Sequence, residues 1–165
     1  MNRVLHSTFF LIVAIALFGC ATPPPLKLDF STEQRLTAAD CVKVCISDED
    51  KKRLDELTLV FGHKTRQLIE TGPVWARAFI GNLGEDPVFR ITRAELRDSI
   101  AGLGFTARFT YIIDGELSYR NHVYPIHAEG SRAAATFILQ AMQQAVELGI
   151  AATTKQVKQV MASPL

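Results

Sequence analysis

A stretch near the middle of the chain alternates apolar and polar side chains, and this pattern limits the folds open to the sequence. The odd positions carry small or apolar side chains: Ala107, Phe109, Tyr111, Ile113, Gly115, Leu117 and Tyr119. Most of the even positions between them are polar. Successive side chains of a strand point to opposite faces, so the pattern predicts one long strand over 107–119 with one buried face.

Asp114-Gly115 lies inside this stretch and has the composition of a tight hairpin turn. A two-residue turn there would place Glu116 on the same face as Ile113, because residues opposite each other in a hairpin share a face. That arrangement would mix polar and apolar side chains on both faces. We therefore predict that the strand runs straight through this dipeptide.

The strand is expected to continue into a loop over 120–123 and a return strand over 124–128. The implied pairs are Tyr119 with Tyr124 and Leu117 with Ile126. Pro125 has no backbone N–H to donate, which is typical of an edge strand.

Helix signals flank this hairpin on both sides. The predicted helices begin at Thr71 with Pro73 in the first turn, at Thr92 with a Glu95 capping box, at Ser131, and at Thr153 with a Gln156 capping box. Their apolar positions include Val74, Phe79, Ile80 and Leu83 in the first helix, Leu96, Ile100 and Leu103 in the second, Ala134, Phe137, Ile138, Ala141, Ala145 and Leu148 in the third, and Val157, Val160 and Met161 in the fourth. The Gly102–Gly104 pair and Gly149 are placed to end the second and third helices. The predicted class is α+β, an antiparallel sheet with helices packed on one face.

The region before the first helix is less decisive. Val42, Val44 and Ile46 alternate as in a strand, and residues 27–30 could form another short one. After Ser47, the chain fits either a helix through Leu54 and Leu57 or a turn before a strand over 57–61 that pairs with 65–69. The second interpretation is favoured.

Near its start the chain carries one positive charge at Arg3, followed by an unbroken apolar run over 9–18. As a helix this run covers only about half of the ~30 Å hydrocarbon core of a membrane, so it predicts a signal peptide over 1–19 rather than an uncleaved anchor. The run ends in Leu17-Phe18-Gly19-Cys20, which resembles the lipobox of bacterial lipoproteins, with Phe18 bulkier than usual at its position.

The resemblance implies that Cys20 receives diacylglycerol, that the chain is cut before it, and that palmitate or a similar acyl chain modifies the new amino group. Several acyl chains anchor a protein durably, whereas one chain binds only marginally. Ala21 after the cysteine implies the periplasmic face of the outer membrane. Three prolines in residues 20–26 favour an extended stalk, leaving 27–165 as a single periplasmic domain.

The charge balance excludes one class of partner. Arg3 precedes Cys20, so 17 of the 18 Lys and Arg residues remain to balance 17 Asp and Glu residues. No basic stripe stands out to neutralise phosphates, and no nucleic-acid partner is expected.

Lipidation of Cys20 would leave Cys41 and Cys45 in an oxidising compartment. In a strand their Cα atoms would lie ~13 Å apart, too far for a disulfide, whereas a helical turn or a bent loop would bring them within range. A local disulfide and two buried thiols both stay open. A Cys-x3-Cys spacing without a second pair does not predict a metal site.

No catalytic motif is found among the remaining polar residues. His63, His122 and His127 do not form a His-Glu-x-x-His motif, and His127 is expected to pair with Glu116 on the polar face. No nucleophile elbow or phosphate-binding loop is present, so no enzyme activity and no cofactor are predicted. Trp75 beside Arg77 is a candidate interaction feature, although a lone Trp at helical spacing also fits the core.

The lipobox, the element order and the Gly102-Leu103-Gly104-Phe105 segment together resemble small Gram-negative envelope lipoproteins of the YajG type, whose activities are largely uncharacterised. The resemblance implies a lipid-anchored, non-enzymatic adaptor or assembly component with an envelope protein as partner, or an auxiliary component of an envelope transport system. The alternative is a lipid or small-molecule carrier with a cavity lined by Phe109, Tyr111, Ile113 and Phe137. A filled core with an exposed apolar patch would favour the adaptor.

Overall fold

The computed structural model describes residues 41–55, 57–61, 65–69, 71–101 and 106–163. Its elements, in chain order, are β1 (Cys45–Ile46), α1 (Asp48–Asp55), β2 (Leu57–Phe61), β3 (Thr65–Ile69), α2 (Gly72–Ala78), β4 (Val88–Ala101), β5 (Thr106–Tyr119), β6 (His122–Ala134) and α3 (Ile138–Ala162). The predicted strand over 27–30 and the predicted helix end at 102–104 lie outside the described residues.

The strands form one sheet in the order β3-β2-β4-β5-β6, and β1 pairs with the beginning of β4. The pairs β2–β3, β4–β5 and β5–β6 are antiparallel, whereas β1 and β2 each lie parallel to β4. Most of the sheet is therefore antiparallel, and α3 packs on its β5–β6 part. The predicted α+β class is confirmed.

The long strand predicted from the alternating pattern is also confirmed. Asp114 and Gly115 lie inside β5, opposite His127 and Ile126 of β6. The hairpin turns instead at Arg120-Asn121, where both residues have positive φ, 50° and 61°, as in the type I′ turn that suits the twist of two-residue hairpins.

The register of this hairpin differs from the predicted one. Tyr119 lies opposite His122, and Leu117 lies opposite Tyr124. The predicted four-residue loop is a two-residue turn, so every pair moves by two positions. An even shift keeps each side chain on its predicted face, and the edge position of β6 agrees with Pro125.

The helix predicted from Thr92 is wrong, because residues 88–101 form strand β4. The strand contains an irregularity between Ile91 and Arg93. Before it Phe89 and Ile91 are buried, and after it Leu96 is buried, so the inward positions change from odd to even numbers. This interruption hides the strand period in the sequence.

The helix start predicted at Ser131 is also wrong, since β6 runs on to Ala134 and α3 begins at Ile138. The predicted break at Gly149 and new start at Thr153 do not occur. The hydroxyl of Thr153 donates to the carbonyl of Gly149, 2.9 Å away, inside one continuous helix. One long helix replaces the two predicted ones.

Both alternatives for the segment after Ser47 are partly correct. The helix α1 is followed directly by β2, which pairs with β3 over residues 57–69 as the favoured interpretation predicted. Ser47 caps α1 by accepting a hydrogen bond from the backbone N–H of Asp50 at 3.1 Å. The strand predicted around the cysteines is shortened to Cys45–Ile46, and Val42 forms an isolated bridge with Phe79.

The helix predicted from Thr71 is present but short. It ends at Ala78, so Phe79, Ile80 and Leu83 follow it as extended chain and turn. Phe79 is buried, whereas Ile80 and Leu83 are exposed. Of the predicted apolar stripe only Val74 lies in the helix, whose buried residues are Val74, Trp75 and Ala78.

The core lies between the sheet and its helices. Its largest fully buried side chains are Trp75, Tyr111, Phe89, Phe109, Leu54, Leu96, Ile113, Leu117, Met142 and Ile150. They come from α1, α2, β4, β5 and α3, so one cluster joins these elements. The helix α3 lies against β6 with little space where Gly149 faces Gly130.

Candidate functional site

The predicted lipidation site, Cys20, lies outside the described residues. Within those residues, no helix is both long and apolar enough to cross a membrane. The proposed attachment to a membrane therefore depends on the sequence pattern around Cys20.

Trp75 lies in the core and does not form part of an exposed surface. Its exposed fraction is 0%, and its ring stacks with Phe89 at 6.3 Å between ring centroids. Arg77 lies two residues further along α2, on the other side of the helix, and is exposed. The prediction that these two residues form an interaction feature is wrong for Trp75, because its position faces inward from α2; the core alternative describes it.

The indole of Trp75 makes a buried hydrogen bond with Tyr111 in the middle of β5. Its Nε1–H donates to the Tyr111 hydroxyl oxygen over 3.0 Å. The hydroxyl of Thr71 also lies near the Tyr111 hydroxyl, and it donates to the carbonyl of Leu54 at 3.1 Å. Burial raises the pKa of Tyr111 to about 12, so the phenol stays protonated. This network joins α1, α2 and β5.

We expect Tyr111→Phe to lower the free energy of unfolding by about 1–3 kcal/mol, because the indole N–H would be left buried without this acceptor. Urea unfolding of the purified protein measures the change. Tyr124→Phe is the matched control, since Tyr124 is only half-buried, and should change stability by less than about 0.5 kcal/mol. Equal losses for the two variants would contradict the prediction.

Cys41 and Cys45 are not joined by a disulfide in this structure. Cys45 is buried in β1, and the Cys41 thiol donates to the carbonyl oxygen of Arg77 at 3.3 Å. Cys41 itself is half-buried, so the structure does not show two buried thiols. Among the described residues, no group of three His, Cys, Asp or Glu side chains is placed to hold a metal ion.

The residues proposed to line a ligand cavity do not come together. Phe109, Tyr111 and Ile113 are fully buried in the core between β5 and the helices, whereas Phe137 is 78% exposed. An open groove of about 660 Å³ does run along α3, lined by Leu148, Ala151, Ala152, Thr154, Lys155, Lys158, Gln159 and Ala162 among the described residues. That groove is formed by other residues than the predicted cavity.

Three consecutive apolar residues are exposed where β6 leads into α3. Phe137, Ile138 and Leu139 are 78%, 42% and 52% exposed. Phe137 is the residue before the helix and has a positive φ of 56°, which is uncommon for an aromatic residue. We call these three residues the apolar start of α3. Exposed apolar clusters of this kind mark contact sites more often than isolated apolar residues do.

Phe137 and Ile138 were predicted to lie in the core, and this exposed surface was not predicted. A signal for it exists in the sequence. Three consecutive residues of a helix point in directions about 100° apart, so an apolar triplet cannot face one core entirely.

The face of the sheet that points away from the helices carries charged side chains. On β4, the Glu95 carboxylate is held by Arg97 at 2.6 Å and by Arg93 at 2.5 Å. The hydrogen bond from Arg97 has the largest effect and lowers the pKa of Glu95. Burial opposes it, and the hydrogen bond from Arg93 adds to the lowering. These three residues alternate along the strand and share its outer face.

A second charged group crosses from β4 to β6. Asp114 of β5 lies 3.5 Å from Arg93 and 2.5 Å from the Nδ1 atom of His127, whose Nε2 atom lies 3.4 Å from Glu129. The predicted partner of His127, Glu116, lies opposite Pro125 instead, because the register is shifted. The prediction of a surface pair for His127 was therefore wrong in its partner.

Comparisons with known proteins give no family. No family model matches the chain, and no curated protein matches it. Among solved structures, a minor lipoprotein from Acinetobacter baumannii is 10% identical with a TM-score of 0.41, covering 75% of this chain and 99% of that one. A protein from Caulobacter crescentus CB15, assigned as a lipoprotein, is 11% identical with a TM-score of 0.36, covering 71% of this chain and 99% of that one. At these low scores neither likeness assigns a family or an activity, and the YajG type remains a resemblance in the sequence.

Proposed function

We propose that this protein is a lipid-anchored envelope lipoprotein, on the periplasmic face of the outer membrane, that acts by binding another envelope protein. In this proposal it is not an enzyme and needs no cofactor. The anchor is Cys20, and the contact surface is the apolar start of α3. The proposal for the anchor is supported by the lipobox-like segment Leu17–Cys20.

The exposure of Phe137, Ile138 and Leu139 carries the proposal for the contact surface. Covering these side chains with a partner would stabilise the complex by roughly 25 cal/mol for each Å² of apolar surface removed from water. Large apolar side chains are also enriched at the centres of protein interfaces. A partner that covers all three would bind through this gain.

The filled interior supports a binding protein over the carrier. Phe109, Tyr111 and Ile113, which a carrier would use to line its cavity, have exposed fractions of 0% and pack in the hydrophobic core. A ligand at that place would have to displace well-packed side chains, which costs free energy.

The contact surface can be tested by placing a photo-crosslinking amino acid at Leu139 in growing cells. We expect a discrete crosslinked product with one envelope protein. The same amino acid at Glu116 is the control, because this exposed residue of β5 lies opposite Pro125, near the hairpin turn and far from the end of β6 that leads into α3. A ladder of products identical at both positions, or no product at Leu139, would contradict the proposed surface.

The apolar contribution is tested with the same crosslinker and a second change in the triplet. Phe137→Ser removes the most exposed of the three side chains, and we expect it to reduce the Leu139 product several-fold. Because Phe137 lies before the helix and is largely in solvent, the fold should be retained, which circular dichroism can check. An undiminished product would show that the partner does not depend on this surface.

A further inference from the structure

His127 lies on β6, the edge strand of the sheet, which has a neighbouring strand on one side. In the sheet order β3-β2-β4-β5-β6, the strand β6 pairs with β5 alone, and α3 packs against it. The side chain of His127 is 61% exposed on the outer face, opposite Asp114 of β5. Its contacts can therefore change the attachment of this edge to the sheet.

Both ring nitrogens of His127 face a carboxylate. Nδ1 lies 2.5 Å from an oxygen of Asp114, and Nε2 lies 3.4 Å from an oxygen of Glu129. A neutral imidazole carries one N–H, so one nitrogen would present a lone pair to a negatively charged oxygen. Only the doubly protonated ring can donate toward both carboxylates.

Other charged groups surround the two carboxylates that contact the His127 ring. Arg93 of β4 binds the second oxygen of Asp114 at 3.5 Å, and Arg97 of β4 interacts electrostatically with Glu129. Glu95 of β4 is held by these two arginines. Glu116 is the remaining acidic group nearby on β5, and it is exposed.

The helix α3 reaches the same residue through its backbone. The side-chain amide of Gln156 donates to the carbonyl oxygen of His127 at 2.5 Å. This contact adds no charge, so the carboxylates decide the preferred state of the ring. The contact links α3 to the backbone of the same residue whose ring contacts β5.

We infer that His127 forms a pH-sensitive clasp that joins the edge strand β6 to β5 when its ring is protonated and releases part of that attachment when the ring is neutral. The ion pair with Asp114 crosses between the strands, and the contact with Glu129 fixes the ring along β6. Loss of the proton turns one of these attractions into a repulsion between lone pairs.

The direction of the pH dependence follows from linkage. The hydrogen bond to Asp114 raises the pKa of His127 above the ordinary value of 6.5. The clasp is therefore complete below about pH 6.5, and it weakens as the pH rises through the higher value of the folded protein. The bacterial periplasm is the compartment in which the proposed lipoprotein would meet such changes.

Hydrogen exchange of the β6 amides in the mature protein tests the clasp. Pro125 faces away from β5, so Ala128 lies in the set of residues whose N–H groups point toward it. After correction for the pH dependence of intrinsic exchange, we expect protection at Ala128 to fall roughly two- to fivefold between pH 5.5 and 8.5. A change of this size is expected when one exposed ion pair is lost. Amides of β4 serve as the reference for changes of the whole fold.

His127→Gln should abolish this loss, whereas His122→Gln at the hairpin turn should retain it. A second measurement follows the ring of His127 by NMR, where Asp114→Asn should move its titration to lower pH. The inference is overturned if His127→Gln keeps the same pH dependence, if β4 amides lose protection equally, or if Asp114→Asn leaves the titration of the ring unchanged.

Discussion

Replacing Gly130 with alanine is expected to lower the free energy of unfolding by about 3 kcal/mol, because the new Cβ has no room beneath α3. It would lie 2.0 Å from the backbone nitrogen of Gly149 and 2.3 Å from the carbonyl oxygen of Ala145. Both are backbone atoms of a helix, which cannot rotate away as a side chain can. Relief requires that α3 move off β6 and lose part of its buried contact.

Urea unfolding with circular dichroism measures this loss. Ser131→Ala is the neighbouring control, since Ser131 is exposed and its hydrogen bond with Thr110 lies at the surface. Its effect should stay within about 0.5 kcal/mol. Wild-type stability for Gly130→Ala would show that the helix does not lie this close to the strand.

The second large effect is expected for Cys20→Ser, which should abolish labelling of the chain with a palmitate analogue. The serine hydroxyl cannot form the thioether to diacylglycerol that the lipobox resemblance implies. Residues 1–19 should also remain attached, because the implied cleavage follows lipidation. The variant should therefore migrate as a heavier, unlabelled species.

Cys41→Ser provides the matched control for this experiment. Cys41 is another thiol of the same chain, half-buried beside Arg77, and its replacement should leave labelling and cleavage at the wild-type level. Labelling that persists in Cys20→Ser, or disappears in Cys41→Ser, would contradict the proposed anchor. Mass spectrometry of the mature N-terminus gives an independent measurement.

The strand β5 shows how much a regular pattern can determine. Its alternation excluded a turn at Asp114-Gly115 although that dipeptide favours one. Burial of one face requires apolar side chains at every second position of the strand, so each further position adds evidence for the same strand. The length of the turn at Arg120-Asn121 was not determined in this way, since a shift of two residues leaves the faces unchanged.

The strand β4 shows where the same method fails. Leu96 and Ile100 are four residues apart, which places them on one face of a strand and also of a helix. The irregularity between Ile91 and Arg93 interrupts the alternation that would have separated the two. Thr92 and Glu95 then look like a capping box, although β4 pairs with β5 along its length.

The candidate surfaces were predicted less well than the elements. Trp75 was left between a contact surface and the core and lies in the core, whereas Phe137 was expected in the core and lies in solvent. Helical spacing alone does not give the direction from which the sheet covers a helix. The direction depends on where β6 ends and where α3 begins. The prediction ended the strand too early and began the helix too early.

The amino-acid sequence by itself determined the α+β class, the long strand β5 with its buried face, and the edge character of β6 from Pro125. These follow from local rules, namely the side-chain period of a strand and the missing N–H of proline. The tertiary structure alone decided that 88–101 is a strand, that α3 continues through Gly149, and that His127 meets Asp114. Each of these depends on a partner distant in the chain, because long-range pairing and close packing override weak local preferences.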